Sequence, residues 1–333
     1  MLAPERRRRS DVVAAAAIVV VAVLVFGVVW LKSDARGTTS DTANPPLPQL
    51  TTAQAVPVTL AERWRADSSV TAAPVATGSA IVSGEGGVVT GIDPADGSTA
   101  WRYSRDIPLC AVTGAWNTAV VVYRDDRGCS QVTQLDGASG TRKAQRTSDA
   151  DATVTLFDDG TYVTSRGDSR LELWRSDLVR TLEYGRVDAP VNPNSQPRSG
   201  CTLSSAASTS SRVAVLENCP GESAARLTTL APAPDDAQQP EEYGSSVVAA
   251  LTAADGPIDG AKILFASGDR VVLAIPAHGN TPARVALFDG NAQPLTDYVI
   301  PAEVSGQGSF EATPAVTQAA DVYTWWTGTG TLA

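Results

Sequence analysis

The sequence predicts an all-β protein, a β-propeller of about six four-stranded blades preceded by one transmembrane helix. An uncharged apolar run occupies residues 12–31, close to the N-terminus. Further on, short apolar strands alternate with Gly- and Asp-rich turns at spacings of about 8–12 residues, as in a sandwich, barrel or propeller. Comparable third strands recur about every 40 residues, which is typical of a propeller blade.

The N-terminal apolar run is predicted to be an uncleaved membrane anchor. Its 20 residues would form a helix of about 30 Å, the thickness of a bilayer's hydrocarbon core. Four arginines at residues 6–9 precede the run, and only Lys32 and Arg36 lie close behind it. The positive-inside rule then places the N-terminus in the cytoplasm and the rest outside. A cleaved signal peptide is the alternative, and it would export the body equally.

The domain organisation follows from these signals. Residues 1–11 form a basic cytoplasmic N-terminus, residues 12–31 form the transmembrane helix, and residues 59–333 form an extracytoplasmic propeller. Residues 32–58 are rich in Thr, Pro and Ala and show no apolar period, so they are predicted to be an extended linker. The expected location is the cell membrane, as a single-pass protein whose membrane partner is the lipid bilayer.

Composition excludes one class of partner. The chain has 333 residues, of which 43% are hydrophobic and 19% charged, which is enough apolar material for a substantial core. Before Ser33 there are 5 cations and 2 anions, so the remainder has 21 cations and 34 anions. Such an acidic body is repelled by nucleic acid, so no nucleic-acid partner is expected.

The repeat is visible at the ends of successive third strands. Asp93 and Asp136 lie 43 residues apart, and Trp174 follows 38 residues later. Later counterparts, near Leu230 and at Asp289, are more widely spaced. The predicted blades are residues 70–106, 107–150, 151–190, 196–258 and 259–303, with a partial blade from residue 309.

The first repeat carries the sharpest local motif, which runs from Gly91 to Trp101. Asp93 can cap the backbone N–H groups of a turn, Gly97 supplies a positive φ, and Trp101 can pack between blades. The second repeat retains Asp-Gly-Ala-Ser-Gly at residues 136–140 but has Ala144 where the tryptophan would stand. Later repeats keep only the rhythm of strands.

This motif resembles the tryptophan-docking signature of quinoprotein-type blades, Ala-x-Asp-x-x-Thr-Gly-x-x-x-Trp. Asp93, Gly97 and Trp101 match it, whereas Gly91 replaces Ala and Asp96 replaces Thr. The chain therefore resembles the PQQ-binding-like (quinoprotein alcohol dehydrogenase-like) propeller superfamily, in a bacterial form with a single membrane anchor. The resemblance covers most of the chain through one good motif and one partial one.

The resemblance implies two functions of different kinds. Enzymes of the superfamily hold PQQ with a disulfide between adjacent cysteines, a calcium ion and a catalytic Asp, and this sequence has no Cys-Cys pair. Other members are non-catalytic, such as an envelope scaffold lipoprotein. The predicted function is a non-catalytic binding or scaffold module in the cell envelope, without a cofactor, whose partner is an envelope protein or ligand. The alternative is a PQQ- or metal-dependent oxidoreductase domain.

The four cysteines form two similarly placed pairs, Cys110/Cys129 and Cys201/Cys219. Each first member stands at the start of a blade's first strand, and each second member stands just before its third strand. An exported protein meets oxidising conditions, so two disulfides within blades are expected. A four-Cys metal site is the alternative, but such sites usually use CxxC pairs, and none is present.

The remaining candidates favour packing over chemistry. His278 is the only histidine, and no Gly-x-Ser-x-Gly elbow accompanies it, so it is expected in a surface loop. Of the adjacent Trp325 and Trp326, one is expected to pack between blades, because neighbouring strand residues face opposite sides.

The last expectation concerns closure of the ring. Residues 60–66 resemble the outer strand around Trp101, so they are predicted to pair beside residues 321–332. The alternative is that the chain is a fragment that lacks the rest of its last blade.

Overall fold

The computed structural model describes residues 8–31, 33, 35–51, 59, 61–71, 74–253, 256–302, 315–319, 322–327 and 331–332. One helix, α1, spans Arg9–Leu31, and none of its residues is buried. Its 23 residues correspond to about 35 Å at 1.5 Å per residue. By length and composition α1 can cross a membrane.

All other large elements are antiparallel β-sheets, which we call blades 1 to 6. Blade 1 has five strands in the spatial order β1-β5-β4-β3-β2. They are β1 (Thr38–Asp41), β2 (Val75–Ala76), β3 (Ile81–Glu85), β4 (Val88–Ile92) and β5 (Thr99–Arg105). Blade 2 comprises β6 (Leu109–Ala115), β7 (Thr118–Asp125), β8 (Gly128–Asp136) and β9 (Arg142–Thr147). Blade 3 comprises β10 (Thr155–Asp158), β11 (Val163–Arg166), β12 (Arg170–Trp174) and β13 (Arg180–Gly185).

The later blades follow the same order in the chain. Blade 4 comprises β14 (Thr202–Ser208), β15 (Val213–Asn218), β16 (Arg226–Leu230) and β17 (Glu242–Val247). A small hairpin, β18 (Thr252–Ala253) and β19 (Gly256–Pro257), precedes blade 5, which comprises β20 (Lys262–Ala266), β21 (Arg270–Ile275), β22 (Arg284–Asp289) and β23 (Pro294–Val299). Blade 6 has three described strands, β24 (Ala315–Ala319), β25 (Val322–Trp326) and β26 (Thr331–Leu332).

The hydrophobic core lies between successive blades. Because side chains alternate along a strand, Val121 and Tyr123 of β7 pack against blade 1, whereas Val120 and Val122 pack against blade 3. Similar clusters join blades 3 and 4, 4 and 5, and 5 and 6. The central strands are buried on both faces, which explains why β7 reads as a continuous apolar run. First strands also lie side by side at the contacts of blades 1 and 2, 2 and 3, and 4 and 5.

The all-β propeller class is therefore confirmed, and each of the five complete predicted repeats contains one four-stranded set of strands, with the β18–β19 hairpin as an addition to the fourth. The predicted closing strand is not observed. Residues 61–66 form no strand, and the described strands of blade 6 pair only with each other. Residues 60, 321 and 328–330 of that prediction lie outside the described residues. Trp64 instead packs against blade 1, where its indole Nε1 donates to the backbone oxygen of Pro94 at 3.1 Å.

Part of the segment that was predicted to be an extended linker is hydrogen-bonded to the propeller. Strand β1 pairs with β5, from Thr38 opposite Arg105 to Asp41 opposite Arg102. The following chain then crosses the propeller through three further backbone hydrogen bonds. They run from Ala43 N to Ser139 O, from Leu47 N to Ala138 O and from Leu50 N to Gly78 O, at 3.0, 3.0 and 2.7 Å. We call residues 38–50 the strap.

The two faces of the ring differ in their connections. One face, the turn face, carries the turns between first and second strands and between third and fourth strands. The other face, the junction face, carries the remaining turns and the connections between blades. The strap begins at the junction face, beside Asp106, and ends on the turn face, at Ser139 and Gly78.

Candidate binding site

A cavity of about 480 Å³ lies among the first strands of blades 3, 4, 5 and 6. In a propeller this is the axis of the ring, because the first strand of each blade is innermost. Its volume is within the range of about 300–1,000 Å³ that is usual for ligand pockets. We call it the axial cavity.

One end of the axial cavity is cationic. Arg166, at the end of β11, donates from Nη1 to Leu203 O at 2.7 Å and from Nη2 to Thr155 Oγ1 at 3.4 Å. The nearby Lys262 donates from Nζ to Ser204 O at 3.3 Å. Burial lowers the pKa of both cations; the charges of Asp168 and Asp151 oppose this change at Arg166, and the charge of Arg166 lowers the pKa of Lys262 further. No described carboxylate lies within salt-bridge distance of Arg166 or Lys262, so this end favours a ligand with acceptor atoms.

The opposite end, on the turn face, carries two adjacent carboxylates. Asp159 accepts from the backbone N–H groups of Thr161 and Tyr162 through Oδ1, at 2.8 and 2.7 Å. Its Oδ2 is buried and has no hydrogen-bond partner among the described residues. Asp158 is an exposed residue at the mouth of the cavity. Desolvation of its carboxyl group by the surrounding protein nevertheless raises the pKa of that group to about 6, and the negative charge of Asp159 raises it further. This end therefore favours hydrogen-bond donors.

Hydroxyl groups and one aromatic ring line the wall between these ends. Ser205 and Ser208 come from β14 and are almost fully buried, and the turn at residues 209–211 adds Thr-Ser-Ser. Ser208 Oγ accepts from Thr164 Oγ1 at 3.0 Å, and Ser205 Oγ accepts from the amide of Ile263 at 3.0 Å. Phe157 of β10 also lines the cavity. Donors, acceptors and an apolar surface thus occur together.

An apolar cleft of about 490 Å³ adjoins the axial cavity between blades 5 and 6. The two share Leu264, Phe265, Val316 and Tyr323 as lining residues. The rings of Phe265 and Tyr323 are stacked, with centroids 3.8 Å apart. In blade 6, Trp325 is buried and Trp326 is 53% exposed, which agrees with the expectation that one of the two tryptophans packs between blades.

Of the three predicted docking residues, Trp101 stands at the contact of blades 1 and 2. The side chain of Asp93 accepts from Ala95 N at 2.8 Å, so it caps the turn after β4. Gly97 has a φ of +80°, and the ring of Trp64 lies directly over it. Trp101 is buried and its Nε1 donates to Gly137 O, in the next blade's turn, at 3.0 Å. These residues serve packing and lie away from the axial cavity lining.

Both predicted disulfides are present. Cys110 joins Cys129 within blade 2, and Cys201 joins Cys219 within blade 4, with Cα–Cα distances of 6.0 and 4.2 Å. Glu217 lies beside the second pair, in a group whose ligand atoms are within 4.8 Å of one another. Disulfide-bonded sulfurs do not offer thiolates to a metal ion, so we assign these three residues a role in stabilising the fold and not in binding a metal ion.

Sequence reasoning missed a buried ionic network in blade 3. Arg170 and Glu172 of β12 are both almost fully buried, and their Nη2 and Oε1 atoms are 2.6 Å apart. Arg170 also contacts Glu183 of β13. From blade 2, Arg146 lies 3.7 Å from Glu172, with its guanidinium over the Trp174 ring at 5.6 Å. The alternation Arg-Leu-Glu-Leu-Trp in β12 was visible, but the burial of both its faces was not.

A second buried carboxylate, Glu217, joins blades 3 and 4. It accepts from the hydroxyl of Tyr184 at 2.8 Å and from Arg198 Nε at 3.0 Å. Burial raises the pKa of Glu217, while hydrogen bonds from Thr228 and Tyr184 and the charge of Arg198 oppose the change. Tyr184 belongs to blade 3 and Glu217 to blade 4, so this hydrogen bond holds the two blades together.

The described residues do not fit PQQ, the cofactor that the quinoprotein resemblance implies. PQQ is a planar tricarboxylate, whereas Arg166 is the one cation among the described lining residues, opposite Asp158 and Asp159. The cysteines are joined at sequence separations of 19 and 18, so neither disulfide links adjacent residues. His278 lies in a turn between β21 and β22, bonded to Thr281 through the backbone.

No protein-family model and no curated protein matches the sequence. Among solved structures, the chain is similar to BBS1N in complex with ARL6DN, with a TM-score of 0.44 and 12% identity over 76% of this chain and 73% of that one. It is also similar to Hsv2 of Kluyvelomyces marxianus, with a TM-score of 0.32 and 15% identity over 63% of this chain and 74% of that one. For the Pan2 WD40 domain of Neurospora crassa the values are 0.36 and 10% over 66% and 61%. The fold assignment rests on the sheets themselves.

Proposed function

We propose that this chain is a single-pass membrane protein whose propeller lies outside the cytoplasm and acts as a non-catalytic binding module. The observation that carries the proposal is the joint between α1 and blade 1. It connects an apolar helix of membrane-spanning length directly to a disulfide-bonded propeller with a ligand-sized axial cavity.

The joint is short and hydrogen-bonded at both ends. At the helix end, Ser33 N donates to Trp30 O at 3.2 Å, and the guanidinium of Arg36 lies 5.9 Å from the Trp30 ring centroid. At the propeller end, Asp106 N donates to Gly37 O at 2.9 Å, and Thr38 begins β1. Only six residues, 32–37, separate α1 from β1. The helix thus holds the propeller next to the bilayer, with the junction face nearest to it.

Charge and redox chemistry support the orientation. The arginines at residues 6–9 precede the apolar run at residues 12–31, and the positive-inside rule assigns such a cluster to the cytoplasm. The two disulfides then lie on the other side, where oxidising conditions allow them to persist. With the junction face toward the membrane, the turn face and its mouth at Asp158 and Asp159 point outward, where a soluble ligand arrives.

A pair of reporters tests the topology. Alkaline phosphatase, which is active only outside the cytoplasm, and a fluorescent protein that matures only in the cytoplasm are each fused after the last residue. We expect phosphatase activity and no fluorescence. The same reporters fused ahead of Met1 form the matched control and should give the opposite result. Fluorescence from the C-terminal fusion would overturn the proposed location.

A further inference from the structure

We propose that the axial cavity binds a saccharide, held between the carboxylates of Asp158 and Asp159 at one end and Arg166 at the other. This deepens the proposed binding function and rests on it. A sugar ring presents vicinal hydroxyls that both donate and accept, together with an apolar face of C–H groups. Those are the three kinds of contact that the cavity wall offers.

The carboxylate end supplies acceptors that the protein itself does not use. Oδ2 of Asp159 is buried without a described partner, although Oδ1 of the same group is fully engaged by Thr161 and Tyr162. A buried, unpaired carboxylate oxygen is costly, so a ligand hydroxyl that donates to it gains more than the same contact would in water. Asp158 stands next to it at the open mouth.

The cation end supplies donors in a fixed position. The contacts of Arg166 with Leu203 O and Thr155 Oγ1 hold its guanidinium plane in place. A guanidinium has five N–H donors, and these two contacts use only part of them. The remaining donors fit the ring or hydroxyl oxygens of a sugar. A fully anionic ligand is disfavoured because the two aspartates face the same cavity, and a simple organic cation would meet Arg166.

The wall between the ends supplies the apolar contact. Phe157 lies on β10 between Thr155 and Asp158, so its ring is placed between the cation and the carboxylates. Aromatic rings stack on the C–H face of a sugar with little loss of side-chain entropy, because they have two rotatable bonds. The buried hydroxyls of Ser205 and Ser208 complete a surface of small polar groups.

The test uses the full chain in lipid nanodiscs on an array of neutral, acidic and amino mono- to tetrasaccharides. We expect a subset of these sugars to bind. The affinity should fall about tenfold or more in Asp159→Asn, the size of one lost hydrogen bond to a charged group, and by a similar factor in Phe157→Ala, which removes the apolar surface of the ring. Asp159→Asn keeps an acceptor for the turn. Asp235→Asn, a matched change of an exposed carboxylate on the turn face outside the cavity, should leave the affinity unchanged.

The possible outcomes are separable. Thermal unfolding of each variant first shows that it is folded like the wild type. Binding of no sugar, or binding that the two cavity variants leave unchanged, overturns the saccharide assignment. Tight binding of spermidine in place of sugars also overturns it. None of these outcomes touches the reporter test of topology, so a failed ligand assignment is distinguishable from a failed membrane assignment.

Discussion

At the scale of single residues, two tryptophans make the same kind of contact with a glycine in a turn. Trp64 donates to Pro94 O and packs on Gly97, whereas Trp101 donates to Gly137 O and packs on Gly140. Each glycine has a positive φ, and a Cβ atom at either would lie within 3 Å of the indole. Trp101 and Gly97 stand in one motif, yet each contacts a different neighbour. The motif therefore contributes its glycine to the contact with Trp64 and its tryptophan to the contact with Gly140.

Glu172 is the residue for which we expect the largest effect of a charge change. Burial by itself would raise the pKa of its carboxyl group, but the charges of Arg170 and Arg146, together with hydrogen bonds from Arg170 and Trp174, hold it at about 2. Glu172→Gln removes one of the two carboxylates of Arg170, which keeps Glu183, and the described carboxylate within salt-bridge distance of Arg146. We expect a loss of about 3–5 kcal/mol in the free energy of unfolding at pH 7, measured by urea titration.

The pH dependence gives a second measurement on the same variant. The folded pKa of Glu172 is below its unfolded value of 4.5, so the stabilisation is present above pH 4.5 and is lost as pH falls toward 2. The difference between wild type and Glu172→Gln should therefore shrink over that window. Asp269→Asn, a change at an exposed carboxylate, is the control and should show no such trend. A difference that stays constant down to pH 2.5 would contradict the assignment.

At the scale of elements, the strap is the segment whose structure differs most from the sequence prediction. Its residues form backbone hydrogen bonds to blade 1 through β1 and Leu50, and to blade 2 through Ala43 and Leu47. Hydrogen-bonded amides exchange slowly with solvent, whereas amides of an extended linker exchange at once. We expect residues 38–50 to show slow exchange in hydrogen–deuterium mass spectrometry of the full chain.

Ala43→Pro makes this expectation specific. Proline removes the N–H that donates to Ser139 O, so exchange in the strap should become faster while the blades stay protected. Asp41→Ala keeps the backbone donors and is the matched control. Rapid exchange of the strap in the wild-type protein would show that residues 38–50 are the unfolded linker that their composition indicates.

The elements also show where sequence patterns suffice and where they do not. Strands such as β7 and β21 were predictable because local alternation and long apolar runs mark burial between blades. The cysteine pairs were predictable from their repeated placement. The strap was not, because β1 is Thr-Thr-Ser-Asp, which is held by backbone bonds at an edge and buries no apolar side chain. The axial cavity was not predictable either, because Phe157, Asp158 and Arg166 belong to blade 3 and Ser208 to blade 4. These residues line one cavity only once the blades are arranged around the propeller axis.

At the scale of the whole molecule, charge is divided unequally around the ring. Residues 61–147, which form most of blades 1 and 2, contain nine cations and nine anions. Residues 148–333 contain 11 cations and 23 anions. An anionic bilayer surface repels the second part and not the first. Because α1 is joined to blade 1, the neutral side of the propeller is also the side that is connected to the apolar helix.

This arrangement predicts a fixed orientation, which energy transfer can measure. A donor dye on an unnatural amino acid leaves the disulfides intact; it is placed at Asp126 on the junction face or at Ala95 on the turn face, both exposed. The acceptors are headgroup-labelled lipids in nanodiscs that contain the full chain. We expect stronger energy transfer from position 126, because the six-residue joint can span only about 20 Å even when extended.

A longer joint is the matched control for that measurement. Inserting 20 Gly and Ser residues between Ser33 and Gly37 leaves the helix and the strap sequence unchanged but releases the propeller from the anchor. The difference between the two dye positions should then disappear, and the transfer should weaken at both. If the wild-type protein already shows equal transfer from both positions, or stronger transfer from position 95, the joint does not orient the propeller and the turn face is not the outward one.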